Sequence, residues 1–513
     1  MTSGTLLEAT SLPDLLRRRA RQRGDAGFLR FRDERLTYAE FDARTDALAC
    51  GLSELGVRQG EVVSVYGQNS PAFLEAWWAT LKLGAVFGPV NSHFVGREAA
   101  YVVGDSGAVV AFCDAGSAAI LNAERDALPA LREIVLLDGG DGDALALDTL
   151  RGRGESPPRP VIDPGDLAAL VYTSGTTGRP KGAMLTHGNY LADGAMVAEV
   201  NPARASDRFG MIMPLFHVNA QVITTIVPLY LGAEIAMWER FSASTFWTTV
   251  AEHQPIMFSA VPTMLAALLY APGAGEVDTG SVKYVMCGAA PLSRDLFDRF
   301  EEKFGVRILE GYGLTEGTCA STQNPYWGPR KVGSIGLPLR GQDVAVLDDE
   351  GRRLPPGEPG ELCVRGPNVM LGYYNLPEAT AEAIRDGWLR TGDVGYADED
   401  GYLYLVDRKK DLIIRGGENI YPREIEEVLA AHPAVREVAV VGRPDEVRGE
   451  EVHAVVVLVG GAAVDAEALT AHCRDRLAAY KVPSSFELVD ELPRTPTGKI
   501  DKKPLREALA RRA

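Results

Sequence analysis

Strand and helix signals alternate through the first third of the chain, and this alternation restricts the fold more than any other feature. LTYAEFDARTDALACGLSELG opens with Thr37 and Glu40 at the spacing of a capping box and runs at helical period to a glycine stop. EVVSVYG (61–67) is a short β-rich run, FLEAWWATLKLG returns to helical spacing, and AVFGPVN reads as the next strand. Strands separated by helices cannot pair as hairpins. They predict an α/β domain in which helices cover both faces of a parallel sheet. The pattern continues through AEIAMW, a helix before His253, PIMFSAV and a helix over 262–270. At 513 residues the chain is too long for one ordinary core, so several domains are expected.

After about residue 334 the texture changes. QDVAVLDDEG, GELCVRG and GYLYLVD are short strands punctuated by Gly and Pro, which predicts a small β-barrel or sheet at about 335–406. A charged knot, DRKKD (407–411), separates this from a compact α+β pattern: DLIIR, a helix over 422–431, VREVAVVG, EVHAVVVLV, a helix over 465–479, and SSFELV. The division expected is therefore a large N-terminal domain at 1–407, a joint at 408–410 and a small C-terminal domain at 411–513.

The formal charge of −17 argues against a nucleic-acid partner and against an anionic membrane surface. An anionic substrate would need a local basic patch. Residues 494–513 supply one, with seven Lys/Arg against two Asp/Glu. The six cysteines contain no CxxC pair, which disfavours zinc and a disulfide framework and fits a reducing, cytoplasmic setting. The N-terminus lacks the basic and apolar regions of a signal peptide. Residues 209–233 carry no charged side chain, but Pro214, Asn219, Pro228 and Gly232 suit buried strand, loop and helix better than a membrane span.

YTSGTTGRPKG (172–182) follows the apolar run LAALV. Its small residues let backbone approach an anion, its hydroxyls donate, and Lys181 adds charge. It is not a Walker A loop, because Lys181 is preceded by Pro180 and followed by Gly182. The stretch resembles the phosphate loop of the adenylate-forming family, which contains acyl-CoA synthetases, luciferases and the adenylation domains of peptide synthetases. Further stretches resemble that family's motifs in the same order: PLFH (214–217), GYGLTE (311–316), TGD (391–393) with DRKKDLIIRGGENIYPREIE (407–426), and PTGK (496–499).

The resemblance implies a carboxylate attacking the α-phosphate of ATP with loss of pyrophosphate, then transfer of the acyl group. It implies that Thr173, Ser174, Gly175, Thr176, Thr177, Gly178 and Lys181 hold phosphates. Gly288, Ala289 and Ala290 wall adenine, with Glu310, Gly311, Tyr312 and Gly313 beside them and Tyr312 stacked on the base. Thr315 touches the α-phosphate, and Glu316 is the Mg²⁺ carboxylate. Asp393 accepts hydrogen bonds from the ribose hydroxyls, backed by Arg408. Lys499 bridges carboxylate and α-phosphate. His217 gates the acyl pocket, Lys410 is the pivot of a swinging C-terminal domain, and Gly416 and Gly417 line the tunnel of the acceptor.

Peptide-synthetase relatives place an acid just after the phenylalanine of PLFH, to pair with a substrate ammonium. Here His217 follows Phe216. An ammonium would lie uncompensated in an apolar pocket, so a neutral-tailed fatty, aryl or arylacrylic acid is expected. Candidate liners are His217, Val218, Asn219, Gln221, Cys319 and Ala320, with Asn219 and Gln221 either touching substrate or serving structure. Coenzyme A is the leading acceptor, since no fused carrier domain is expected so close behind Lys499. Loading of a free-standing carrier protein, luciferase-like oxidation and nitrite-dependent diazotisation of an aromatic amine are the alternatives. A homodimer is left open. A non-catalytic binding protein is the contrasting class, disfavoured because Lys181, Glu316 and Lys499 are all present.

Overall fold

The computed structural model describes residues 8–139, 145–152, 157–173, 179–271, 277–290, 292–415, 418–445, 448–494 and 500–511. The chain folds into two compact units, Met1–Val344 with Cys363–Arg390, and Ala345–Leu362 with Thr391–Ala513.

The first unit holds two large sheets. The nine-stranded sheet runs Leu337–Pro338, Thr322–Gln323, Arg307–Tyr312, Tyr284–Cys287, Met257–Ala260, Arg208–Met211, Glu234–Met237, Gly27–Phe31, Glu34–Thr37. It is parallel from Arg307–Tyr312 through Gly27–Phe31 and antiparallel at its margins. The seven-stranded sheet runs Gly372–Tyr373, Lys181–Thr186, Leu167–Thr173, Val86–Pro89, Val62–Tyr66, Val110–Cys113, Glu133–Leu136. Its first three strands are antiparallel and the rest parallel.

Local chemistry explains the elements. The expected capping box starts the helix Tyr38–Glu54: the Glu40 N–H donates to Thr37 Oγ1 at 3.2 Å, and the Thr37 N–H donates to Glu40 Oε2 at 2.8 Å. Ser70 caps the helix Pro71–Lys82, whose proline sits in the first turn. That helix buries Phe73, Trp77 and Trp78 almost completely, and each such side chain contributes roughly 1.5–3 kcal/mol. The uncharged run 209–233 resolves into a strand end, the short helix Val218–Gln221, a π turn at Val222–Ile226 and the helix Val227–Leu231. Gly232 closes it at φ 73. Among the described residues no helix is long and apolar enough to cross a membrane.

The segment expected as a small β-barrel is a five-stranded sheet. Asp343–Leu347, Gly360–Arg365, Trp388–Ala397 and Ile384–Arg385 are neighbours in that order, and Leu403–Arg408 also pairs with Trp388–Ala397. Compactness assigns 345–362 and 391–407 to the second unit, where the sequence reading keeps them with the first domain. The reason is local: 393–397 pairs directly with the strand that leads into the C-terminal segment.

The second unit also holds the C-terminal sheet Glu418–Ile420, Ile413–Arg415, Gly449–Leu458, Val435–Asp445, with Ser485–Leu488 parallel to Gly449–Leu458. Its core includes Ile413, Ile425, Leu429, Val440, Val456 and Leu469. The helix expected over 465–479 is shorter, Ala466–Arg474. Tertiary bonds end it early: Arg415 takes the Tyr480 carbonyl at 2.8 Å, and Glu424 holds the Lys481 ammonium at 2.6 Å.

Candidate active site

Three of the motifs follow the carboxyl ends of parallel strands in the nine-stranded sheet. Gly288–Ala290 follows Tyr284–Cys287, the GYGLTE stretch completes Arg307–Tyr312, and PLFH follows Arg208–Met211. Such ends gather loops into one crevice. The phosphate-loop stretch leaves the carboxyl end of Leu167–Thr173 in the other sheet and returns at Lys181, the first residue of Lys181–Thr186.

One corner joins these two sheets. Glu316 Oε1 accepts from the Tyr373 hydroxyl at 2.8 Å and from Thr173 Oγ1 at 3.4 Å. The Lys181 ammonium lies 5.0 Å from the centroid of the same Tyr373 ring. Lys181 and Glu316 form no ion pair with each other among the described residues; one tyrosine contacts both, the cation through its ring and the anion through its hydroxyl. Burial, with the Glu316 carboxylate beside it, pushes the Tyr373 phenol well above its usual range, so it remains a donor. Tyr172, by contrast, turns its hydroxyl to Asp105 at 2.7 Å and braces the strand.

Backbone geometry fixes the neighbourhood. A Cβ on Gly313 would lie 1.6 Å from the Cys319 carbonyl oxygen, so only glycine permits this reversal. Thr318, at φ 69, and Ala289, at φ 67, are non-glycine residues with positive φ. Thr315 opens a one-turn helix with Glu316 and Gly317. Tyr312 is half-buried. Glu310 is buried and accepts from the Gly333 N–H at 3.0 Å, which ties the strand to the following loop.

His217 precedes the helix Val218–Gln221, half-buried, with its ring 4.4 Å from that of Phe216. Asn69 fixes this corner through the Leu215 N–H and the Met213 carbonyl. Val218 and Asn219 are half-buried beside it, and Cys319 and Ala320 are buried. Of the two roles open to Gln221 the structure supports the structural one: it is fully buried, accepts from the Tyr190 hydroxyl and donates to the Leu215 carbonyl at 2.9 Å. Both ends of its amide serve the fold.

In the second unit, Asp393 and Arg408 sit opposite each other on antiparallel strands and form an ion pair at 2.8 Å. The TGD stretch is therefore part of a strand. Thr391 Oγ1 donates to the Leu362 carbonyl and accepts from the Asp393 N–H, which holds the aspartate in place. Lys410 lies in the short turn Lys409–Asp411. Asp407 accepts the N–H groups of both Arg408 and Arg423, at 2.7 and 2.8 Å. Arg415 and Glu418 face each other across a hairpin. Ser174, Gly175, Thr176, Thr177, Gly178, Gly416, Gly417 and Lys499 lie outside the described residues.

Sequence reasoning missed Tyr373. No motif flags it, and the strand pairing Tyr373↔Ala183 next to Lys181 is a register visible only after folding. No cluster of three or more His, Cys, Asp or Glu residues suited to a metal occurs among the described residues. A lone carboxylate such as Glu316 suits a hard cation that takes its remaining ligands from phosphates and water, so the residues present fit Mg²⁺ carried in by a nucleotide.

The family profile described as AMP-binding enzyme matches residues 16–374, and that of the AMP-binding enzyme C-terminal domain matches 424–499. The chain is 39% identical over 486 residues to a feruloyl-CoA synthase of an Amycolatopsis species, covering 94% of this chain and 96% of that one. It is 40% identical over 471 residues to a sulfoacetate–CoA ligase of Cupriavidus necator, covering 91% of each. Among solved structures, the anthranilate CoA ligase AuaEII in complex with anthranoyl-AMP superposes with a TM-score of 0.90 at 30% identity, covering 99% of both chains.

Proposed function

The chain belongs to the AMP-binding enzyme family, and from that membership we propose that it is an ATP-dependent, AMP-forming acid–CoA ligase. The carboxylate attacks the α-phosphate, the bond to pyrophosphate breaks, and an acyl-adenylate forms. The thiol of coenzyme A then attacks the acyl carbon, losing its proton, and AMP leaves. The observation that carries this reading is the corner where Glu316, Thr173, Tyr373 and Lys181 meet with cation and anion held apart. Among the described residues neither charge has an ion-pair partner, which supports their being available to a ligand bearing phosphates and a divalent ion.

In this reading Glu316 would hold Mg²⁺, which would offset charge on the leaving pyrophosphate. Lys181, with Thr173 and residues 174–178, holds the β- and γ-phosphates. Gly288–Ala290 and Tyr312 bound the adenine, and Thr315 contacts the α-phosphate. Asp393 accepts from the ribose hydroxyls, with Arg408 keeping its carboxylate in place. Lys499 bridges the carboxylate and α-phosphate oxygens where charge develops. Turning about 408–410, at Lys410, exchanges Lys499 for the segment 415–418, so that Gly416 and Gly417 flank the incoming pantetheine arm.

The substrate is a carboxylic acid of fatty or aryl type. The absence of charged side chains over 209–233 supports a neutral tail beside His217. Relatives of nearly equal identity carry names for acids as unlike as ferulate and sulfoacetate, so identity alone does not choose among acids. Six free, buried cysteines fit a reducing compartment. The test is ATP–pyrophosphate exchange over a panel of fatty, aryl and arylacrylic acids, with and without coenzyme A, followed by mass spectrometry. Acid-dependent exchange and an acyl-CoA product support the reading; exchange with thioester formed only on a carrier protein, or no acid dependence, overturns it.

A further inference from the structure

Asp193 is fully buried on the helix His187–Val200. Its Oδ2 accepts from the Ala320 N–H at 3.0 Å, while Oδ1 meets no hydrogen-bond partner among the described residues. Cys319 and Ala320, candidate liners of the acyl pocket, follow the Thr315–Gly317 turn. The rest of this segment hangs from the same frame. Gln342 Nε2 donates to the Ala320 carbonyl at 3.0 Å, Asn368 Nδ2 donates to the Gly317 carbonyl at 3.0 Å, and Thr318 Oγ1 donates to the Asn368 carbonyl at 2.5 Å. Asn189, one turn before Asp193 on the helix, holds the Pro367 and Val369 carbonyls at 2.7 and 2.9 Å.

Within the proposed ligase reading, we propose that Asp193 is a positioning residue for the acid substrate: in its neutral form it suspends the Cys319–Ala320 wall from the helix behind it. The frame divides the labour around one short segment. Asn368 and Gln342 fix its two ends through carbonyls, and Asp193 fixes the amide between pocket and core. A neutral amide or acid does this; an ionised carboxylate without a cation would not remain in so dry a place. Burial indeed pushes the Asp193 carboxyl well above its usual range, opposed by the Ala320 N–H. The titratable groups coupled to it are Tyr190 on its own helix and Cys319 on the facing segment, both likewise pushed up by burial, and neither supplies a cation.

The experiment compares wild type, Asp193→Ala and Asp193→Asn by exchange kinetics and thermal melting. With Asp193→Ala, KM for the acid rises about tenfold, as expected when a buried amide loses its acceptor, while KM for ATP stays within about twofold. Asp193→Asn keeps an acceptor and restores the acid KM. The melting difference between Asp193→Asn and wild type grows as pH rises above the usual carboxylate range, because wild type must withhold a proton from water that the asparagine never carries. Equal changes in the acid and ATP constants, failure of asparagine to rescue, or a pH-independent melting difference would each overturn the proposal. The melting comparison stands on its own if the alanine variant does not fold. Absence of acid-dependent exchange in wild type overturns the ligase reading instead, and with it the substrate that Asp193 is said to position.

Discussion

Two carboxylates that the proposed reading assigns to ATP, one in each unit, are held in opposite ways. Glu316 is held by neutral hydroxyls, from Tyr373 and Thr173, while the Lys181 ammonium lies over the ring of that same tyrosine without pairing with the carboxylate. Asp393 is held by a guanidinium directly across a β-ladder, at 2.8 Å from Arg408. In the proposed ligase reading the difference follows from what each would meet. A carboxylate that shares a divalent cation with phosphates needs its full charge. One that accepts hydroxyl donors close to a polyanion is better with its charge offset, because a bare carboxylate would repel the phosphates. Hydroxyls orient an acid without neutralising it; a guanidinium orients and neutralises together.

That contrast can be broken or sharpened by substitution. The largest effect is expected from Lys499→Ala, which should lower pyrophosphate exchange by about 10²–10³-fold, as for loss of one transition-state donor. A supplied acyl-adenylate should still react with coenzyme A, and equal loss in both half-reactions would refute the assigned role. Glu316→Gln keeps the bond from Tyr373 but removes the charge, and should lower exchange by about 10²-fold with a raised requirement for Mg²⁺. Unchanged magnesium dependence would remove Glu316 from the metal.

Gly417→Val should slow thioester formation about tenfold and spare exchange, as expected when a misplaced group obstructs alignment; unaltered overall turnover would refute the tunnel. Asp393→Asn should raise KM for ATP about tenfold, the scale of a hydrogen bond to a charged group, and leave KM for the acid alone. The smallest effect belongs to Tyr373→Phe, about two- to tenfold on exchange, since Thr173 still orients Glu316. A loss as large as that of Glu316→Gln would mean that the tyrosine does more than orient.

Much of this was legible in the chain because local rules carried it. The Thr37–Glu40 capping box, the strands at 62–66 and 86–89, and the buried run 209–233 needed only periodicity and turn chemistry. What stayed hidden depends on register between distant segments. Tyr373 reaches Glu316 because Gly372–Tyr373 pairs with Lys181–Thr186, and nothing near Tyr373 in sequence announces that partner. The sequence leaves Gln221 open between touching substrate and serving structure, and only folding shows that Tyr190 and the Leu215 carbonyl occupy its amide. Asp193 carried no motif at all; its meaning lies in burial and an amide 127 positions away.

In the proposed reaction a carboxylate oxygen becomes bonded to the α-phosphorus of ATP. A turned-over acid labelled with ¹⁸O in both carboxylate oxygens tests this directly, with the products read by mass spectrometry. The account predicts one labelled oxygen in AMP, the other in the thioester carbonyl, and none in pyrophosphate. Label in pyrophosphate or inorganic phosphate, or ADP in place of AMP, would contradict it.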